Sequence, residues 1–182
     1  MKNEINRIAG RLVKAYNTNT VINPIPVKYC KNINLANKLR KLCEDQIKDE
    51  TIGIKAGGTG IQALKKLKEK EPFTAKVFKK RLVKSGQKVK INQHTKGIEV
   101  EVYYFIKKSF FDFKGKVTKS NVTKFIKFMG PCFEIVGFRQ RNKKFTYLGD
   151  ICGDFGFNIK FVVGRKTKFK KLNLNNLKTS LV

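Results

Sequence analysis

Two segments near the N-terminus carry apolar residues at the spacing of an α-helix. Apolar positions recur every three or four residues in residues 4–16, and they do so again in residues 33–48. Between these segments Pro24 and Pro26 exclude a helix, because proline lacks the amide proton and disfavours helical backbone before it. We therefore predict an N-terminal helical segment over residues 1–50.

From residue 51 onward the pattern changes to short runs rich in valine, isoleucine, phenylalanine and tyrosine, which is typical of strands. The predicted strands are IGIK, AKVF, KVKI, GIEVEVYYFI, PCFEIVGF and FNIKFVVG, with LKTSLV as a further one at the end. Helices are predicted over residues 61–69 and 120–130. The fold class is therefore α+β, in which a helical cap precedes a mixed β domain over residues 51–182.

Length and composition narrow the class of protein. The chain has 182 residues, of which 41% are hydrophobic, so it can form a core and is not a disordered chain. No apolar run approaches the roughly 18 residues needed to cross a bilayer, and the N-terminus lacks the apolar stretch of a signal peptide. We expect a cytoplasmic protein that does not bind membranes. The four cysteines are widely spaced and only one histidine is present, which argues against a zinc site.

The formal net charge of +28 has two interpretations. It is the charge of a nucleic-acid-binding surface, or it reflects the lysine-rich and asparagine-rich composition that an AT-rich genome produces. Only seven of the 41 basic residues are arginine, and they do not cluster in the sequence. Because arginine is the side chain that recognises bases through a bidentate fork, we favour the second interpretation and predict no specific nucleic-acid partner.

Three glutamates are candidate ligands of a metal ion. Glu99 and Glu101 are two residues apart in a predicted strand, so their side chains share one face about 7 Å apart. Glu134 has apolar neighbours that predict burial, and a buried carboxylate is costly unless it is paired or binds a metal. Carboxylates suit Mg²⁺ or Mn²⁺, although a solvated strand face remains the alternative for Glu99 and Glu101. The opposite strand face is expected to pack in the core through Ile98, Val100 and Val102.

Two further motifs contain polar residues of interest. Lys55 ends a predicted strand and enters a glycine turn, where a partly desolvated lysine can hold a carboxylate or transfer a proton. A solvated lysine is the alternative there. Asp154 and Asn158 lie in GDICGDFGFN, which is either part of a pocket or an ordinary Asx turn.

Five motifs in order resemble the 2-keto-4-pentenoate hydratase and 4-oxalocrotonate decarboxylase family of the fumarylacetoacetate hydrolase-like superfamily. These motifs are IGIKAGGTG, EPFTAKVF, GIEVEVYYFI, PCFEIVGFR and DICGDFGFNIKFVVG, and they cover residues 33–164. The resemblance implies that Glu99, Glu101 and Glu134 bind the metal. A glutamate at the third position, in place of the aspartate typical of the C–C hydrolase branch, favours a hydratase or a decarboxylase.

The resemblance also implies roles for residues around the metal. It matches Lys55, Glu71 and Asp154 to catalytic positions, and Phe73 and Asn158 to positions that contact the substrate. The implied enzyme is a lyase of aromatic catabolism that uses Mg²⁺ or Mn²⁺ to chelate a small 2-oxo acid and to stabilise its enolate. It hydrates a 2-hydroxydienoate or 2-oxo-4-enoate to a 4-hydroxy-2-oxo acid, or it decarboxylates a related 2-oxo diacid.

The sequence departs from the family in two respects. Gly97 stands where the family has a basic residue, and the family chain continues into a further β segment. The resemblance implies that the catalytic domain over residues 51–182 is a mixed β-sheet roll of the fumarylacetoacetate hydrolase C-terminal-domain type, and we expect it to lack its C-terminal part. A strand edge left exposed in this way is expected to be covered in a homo-oligomer. Two alternatives stay open: a basic nucleic-acid-binding module, and a truncated inactive relative of the enzyme.

Overall fold

The computed structural model describes residues 2–91, 94–171 and 173, and it begins with three helices. Their bounds are α1 (Lys2–Thr18), α2 (Lys28–Lys31) and α3 (Ile33–Glu44). Asn32 caps α3, because its side-chain oxygen accepts hydrogen bonds from two amides of the first turn. The two predicted helices are confirmed, although the second ends at Glu44 rather than at residue 48. The expectation of no helix between them is wrong for α2, because this short helix begins only at Lys28, after both prolines.

The apolar side of the helices packs against residues from later in the chain. Ile8 and Leu12 of α1 and Leu39 of α3 are buried in one cluster with Phe78 and Phe155. Burying each such side chain contributes about 1.5–3 kcal/mol. Through this shared core the helices support the turn at Phe155, which lies beside the candidate site.

The strands form two sheets in the described part of the chain. In the first sheet, β1 (Thr51–Gly57) pairs antiparallel with β2 (Phe73–Phe78), and α4 (Ile61–Leu67) connects them. The second sheet has the order β3 (Leu82–Lys84), β6 (Asn158–Val163), β5 (Ile126–Gly137) and β4 (Thr95–Ile106), and β7 (Thr167–Lys168) also pairs with β5. A short helix, α5 (Leu148–Cys152), precedes β6. Because β3 and β6 are parallel and the other pairs antiparallel, the predicted α+β class with a mixed sheet is confirmed.

The helix predicted over residues 120–130 is wrong. The chain forms one 3₁₀ turn at Val122–Phe125 and then enters β5 at Ile126, which pairs with Ile106 of β4. Its apolar residues fit a helix by spacing, but pairing along the whole of β4 satisfies more backbone groups than an isolated short helix does. The KVKI strand is also wrong, because the described residues 88–91 form no strand.

Strand β4 lies at the edge of the five-stranded sheet. The expectation that Ile98 and Val100 pack in the core is wrong, because these side chains are 51% and 41% exposed. Alternation correctly placed them on the face opposite Glu99, but at this edge of the sheet their side chains stay about half exposed. An exposed apolar edge favours association. The homo-oligomer stays a prediction.

Three further predictions from the sequence concern membrane spans, the cysteines and the last strand. None of the helices in the described residues is long and apolar enough to cross a membrane. The four cysteines all lie within the described part of the chain as buried, free thiols. The strand predicted for LKTSLV lies outside the described residues.

Candidate metal centre

Strand register brings the three candidate glutamates together. Glu99 on β4 lies directly opposite Glu134 on β5, and Glu101 lies opposite Cys132, two residues before Glu134. Paired residues of an antiparallel ladder share a face, and so do residues two apart, so all three carboxylates project from one side of the sheet. One oxygen from each carboxylate lies within 4.8 Å of the others.

The three glutamates differ in their exposure to solvent. The Glu134 side chain is 2% exposed, whereas Glu99 and Glu101 on the edge strand are exposed. The centre is therefore closed on the β5 side and open on the β4 side. A small ligand can approach from the β4 side without a rearrangement of the sheet.

Burial and mutual repulsion make the cluster costly when it is fully ionised. Burial raises the pKa of Glu134 to about 7, although Lys55 opposes this shift and the two other glutamates add to it. Desolvation by the neighbouring protein atoms, reinforced by Glu99 and opposed by Lys55, also raises the pKa of Glu101. Full ionisation would therefore place three negative charges close together at a free-energy cost, which a cation would offset.

Lys55 is the positive charge that the structure places against this cluster. It comes from β1, and its Nζ donates to both carboxylate oxygens of Glu134, at 2.5 and 2.7 Å, and to the carbonyl oxygen of Gly156 at 3.0 Å. The Lys55 side chain is 10% exposed, so the solvated alternative is excluded. All three ammonium protons have an acceptor, which fixes the direction of the side chain.

Gly156 is part of the site and was missed in the sequence analysis. Its φ of +66° lies in the left-handed region, and a Cβ there would stand 2.6 Å from the Cβ of Ala75 and 3.7 Å from Cδ of Lys55. A glycine is therefore required because a Cβ would clash with Ala75 of β2, against which this turn lies while its carbonyl accepts from Lys55. The glycine in DFGFN can be read from the sequence, but its contact with Lys55, 101 positions earlier, cannot.

Asp154 and Asn158 serve the core beside the centre. Asp154 is fully buried and accepts hydrogen bonds from the backbone N–H and Nη1 of Arg139, at 2.8 and 3.2 Å, and from Nε2 of Gln140 at 3.0 Å. Asn158 is buried too, and its Nδ2 donates to the carbonyl of Phe155 at 2.6 Å. These contacts hold the turn that carries Gly156. The structure does not bring either side chain to the three glutamates, and their predicted roles toward a substrate stay predictions.

The two other predicted site residues lie at the start of β2. Phe73 is buried, and its ring covers Gly57 of β1 and lies close to Gly156. It therefore fills the space between β1, which carries Lys55, and the turn at Gly156. Glu71 precedes β2 and is exposed. The structure does not place Glu71 in the cluster, so its catalytic role also stays a prediction.

The donor set fits a hard divalent cation. Two ligands on opposite sides of an ion with bonds of about 2.1–2.4 Å stand roughly 4.2–4.8 Å apart. The separation of up to 4.8 Å among the three oxygens is compatible with that limit. Cys132 also faces this side of the sheet, but burial raises the pKa of its thiol to about 11, so it stays protonated and is a poor ligand at neutral pH.

The fold is similar to that of two solved structures of 4-oxalocrotonate decarboxylase from Pseudomonas putida G7. One, complexed with magnesium and adipate, has a TM-score of 0.70 and 15% identity, and the match covers 92% of this chain and 65% of that chain. The other, complexed with calcium and acetate, has a TM-score of 0.73 and 16% identity, and covers 92% and 64%. No family profile and no curated protein matches the sequence. At this identity the likeness establishes the fold alone, and the chain spans slightly under two thirds of the length of either structure.

Proposed function

We propose that the protein is a lyase that depends on a divalent metal and acts on a small 2-oxo acid. The proposed reaction is the decarboxylation of a 2-oxo diacid or the hydration of a 2-hydroxydienoate to a 4-hydroxy-2-oxo acid. The observation that carries this proposal is the meeting of Glu99, Glu101 and Glu134 on one sheet face, with Lys55 against the buried member. The two structures of similar fold hold magnesium or calcium, each with a carboxylate ligand, which supports the same chemistry.

In this proposal the three glutamates hold Mg²⁺ or Mn²⁺. A bound divalent cation supplies Lewis acidity and offsets the negative charge that develops on the 2-oxo group. Glu134 and the β5 side exclude water from one half of the centre, and the open β4 side admits the substrate. The glutamates must be ionised to bind the cation, so cation binding displaces the proton that burial favours on Glu134.

Lys55 would bind the substrate. In the structure its ammonium donates to both oxygens of Glu134. A cation bound to that carboxylate would take the place of some of these hydrogen bonds, and the ammonium could then donate to another acceptor. A substrate carboxylate is such an acceptor, because it is anionic and the carbonyl of Gly156 keeps the ammonium pointed at the centre. From that position Lys55 can also move a proton to or from the carbon next to the 2-oxo group.

The competing interpretation is that Lys55 and Glu134 form a structural ion pair. Isothermal titration with Mg²⁺ and Mn²⁺ separates the two, because a structural pair does not need Glu99 or Glu101. We expect wild type to bind the ion and Glu99→Gln and Glu134→Gln to lose at least about 1.4 kcal/mol of binding free energy, which is tenfold in affinity.

Glu50→Gln is the matched control, since Glu50 is an exposed acid that pairs with Lys79 at the surface. It should bind the metal as wild type does. Turnover of a 2-oxo diacid and of a 2-hydroxydienoate, followed by absorbance with and without metal, then tests the reaction. Equal metal affinity in wild type and both site variants would contradict the proposal, and so would the absence of metal-dependent turnover of every 2-oxo acid offered.

A further inference from the structure

Basic residues are concentrated at one end of the five-stranded sheet. Residues 105–128 contain seven lysines and one acid, and residues 165–171 contain five basic residues and no acid. We call these two segments together the basic arm. It carries a net +11 in 31 residues, whereas the other 151 residues carry +17. The lysine-rich composition of the whole chain therefore does not account for the basic arm.

Tertiary contacts join the two segments into one surface. Strand β7 pairs with the start of β5, where Phe128 lies opposite Lys168. The amide of Phe169 donates to the carbonyl of Lys127 at 3.2 Å, and the ring of Phe169 lies edge-on to Tyr104 at 6.3 Å. All twelve basic side chains are exposed, and none of them has an ion-pair partner among the described residues.

Aromatic rings lie among these charges and are open to solvent. Phe111 is 72% exposed and Phe105 is 54% exposed. The loop that carries Phe111 is ordered by packing of Phe110 and Phe113 on Phe125, with ring centroids 5.4 and 5.0 Å apart. An exposed phenylalanine held on a packed base is a flat apolar surface that a planar ligand can cover.

We propose that the basic arm binds single-stranded nucleic acid without sequence preference. The lysines neutralise phosphates, and the exposed rings stack with unpaired bases, which is the combination that recognises single strands. Lysine supplies eleven of the twelve charges and Arg165 is the one arginine of the arm, so sequence preference through bidentate recognition of base edges is not expected.

The other possible occupants fit the basic arm less well. A duplex offers phosphates but keeps its bases stacked inside, so it cannot use the rings. A second copy of the chain would bring a second surface of the same high positive charge against the first. An anionic lipid surface satisfies the charges, and it is one outcome of the test below.

Fluorescence anisotropy with labelled 20-nucleotide oligothymidine and oligouridine tests the proposal on the full chain. If about six phosphates are neutralised, raising the salt from 50 to 200 mM should weaken binding roughly 300-fold. A triple variant, Lys114→Gln, Lys116→Gln and Lys119→Gln, should lose about tenfold or more in affinity and should show a shallower salt dependence. Phe111→Ala should lose roughly tenfold with the salt dependence unchanged, because it removes a stacking platform and no charge.

The matched control removes the same number of charges elsewhere. Lys65, Lys66 and Lys70 lie on or just after α4 and are exposed, and their change to glutamine should alter affinity by no more than about twofold. Equal losses in both triple variants would mean that net charge alone attracts the oligonucleotide, and this would overturn the proposal. Binding to phosphatidylserine vesicles without binding to oligonucleotides, or a preference for duplex over single strand, would overturn it as well.

Discussion

Glu134→Gln should stabilise the metal-free protein at pH 8, although it removes a predicted metal ligand. The pKa of Glu134 is raised by burial to about 7 from its ordinary value of 4.5, so the folded chain binds a proton that the unfolded chain has lost. The stability that comes from this proton is fully present below pH 4.5 and is lost as the pH rises to about 7. Glutamine does not titrate and keeps a neutral group at every pH.

The structure sets the size of the effect. The difference between the folded and unfolded pKa values of Glu134 corresponds to about 3 kcal/mol of unfolding free energy, because each pH unit contributes about 1.4 kcal/mol. The raised pKa already includes the opposing influence of Lys55. The amide introduced by the substitution retains a side-chain oxygen that can accept from Lys55, and Gly156 still offers its carbonyl. We therefore expect the variant to match wild type at pH 4.5 and to exceed its free energy of unfolding by up to about 3 kcal/mol at pH 8.

Urea unfolding, followed by circular dichroism at pH 4.5 and pH 8 in the presence of a chelator, measures this difference. Repeating the pH 8 measurement with excess Mg²⁺ or Mn²⁺ should narrow the difference between the two proteins. An ion at one hundred times its dissociation constant stabilises the protein that binds it by about 2.7 kcal/mol, and the variant, which binds the ion more weakly, gains less. Glu50→Gln should follow wild type under all of these conditions.

One result would refute the reasoning. If Glu134→Gln were less stable than wild type at pH 8 with the chelator present, the ionised carboxylate would be favourable in its pair with Lys55. Lys55 and Glu134 would then form a structural ion pair, and the ionised cluster would carry no free-energy cost for a cation to offset.

Three further predictions concern the same centre. Binding of Mg²⁺ at pH 6, measured by calorimetry in two buffers of different ionisation enthalpy, should release close to one proton from Glu134, and the release should vanish above pH 8. Gly156→Ala should lower the free energy of unfolding by about 1–3 kcal/mol and weaken metal-dependent turnover, because the backbone φ there is positive and the added Cβ would clash with Ala75. A urea midpoint equal to that of wild type would contradict this prediction. Asp154→Asn should cost about 3–5 kcal/mol of stability by breaking the buried pair with Arg139, and a variant that is fully stable but inactive would instead support a catalytic role for Asp154.

Some of the wrong predictions share one physical origin. Residues 120–130 have helical spacing, but the pairing of β5 along β4 decides their structure, and that pairing depends on residues 20 to 27 positions away. Ile98 and Val100 alternate as a buried strand face would, but β4 lies at the edge of its sheet. Local pattern reports which face a side chain is on, whereas the presence of a covering element is a property of the whole fold.

The amino-acid sequence by itself determined the N-terminal helices, the α+β class, the common face of Glu99 and Glu101, and the burial of Glu134. These follow from the period of a strand or helix and from apolar neighbours, which are local properties of the chain. Only the tertiary structure decided that Glu99 lies opposite Glu134 and that Lys55 reaches Glu134 across 79 positions. It also placed Asp154 in the core and gathered the lysines of the basic arm. Such contacts are fixed by the packing free energy of the complete fold, because many registers are compatible with the same local pattern and only one buries the core together with its polar partners.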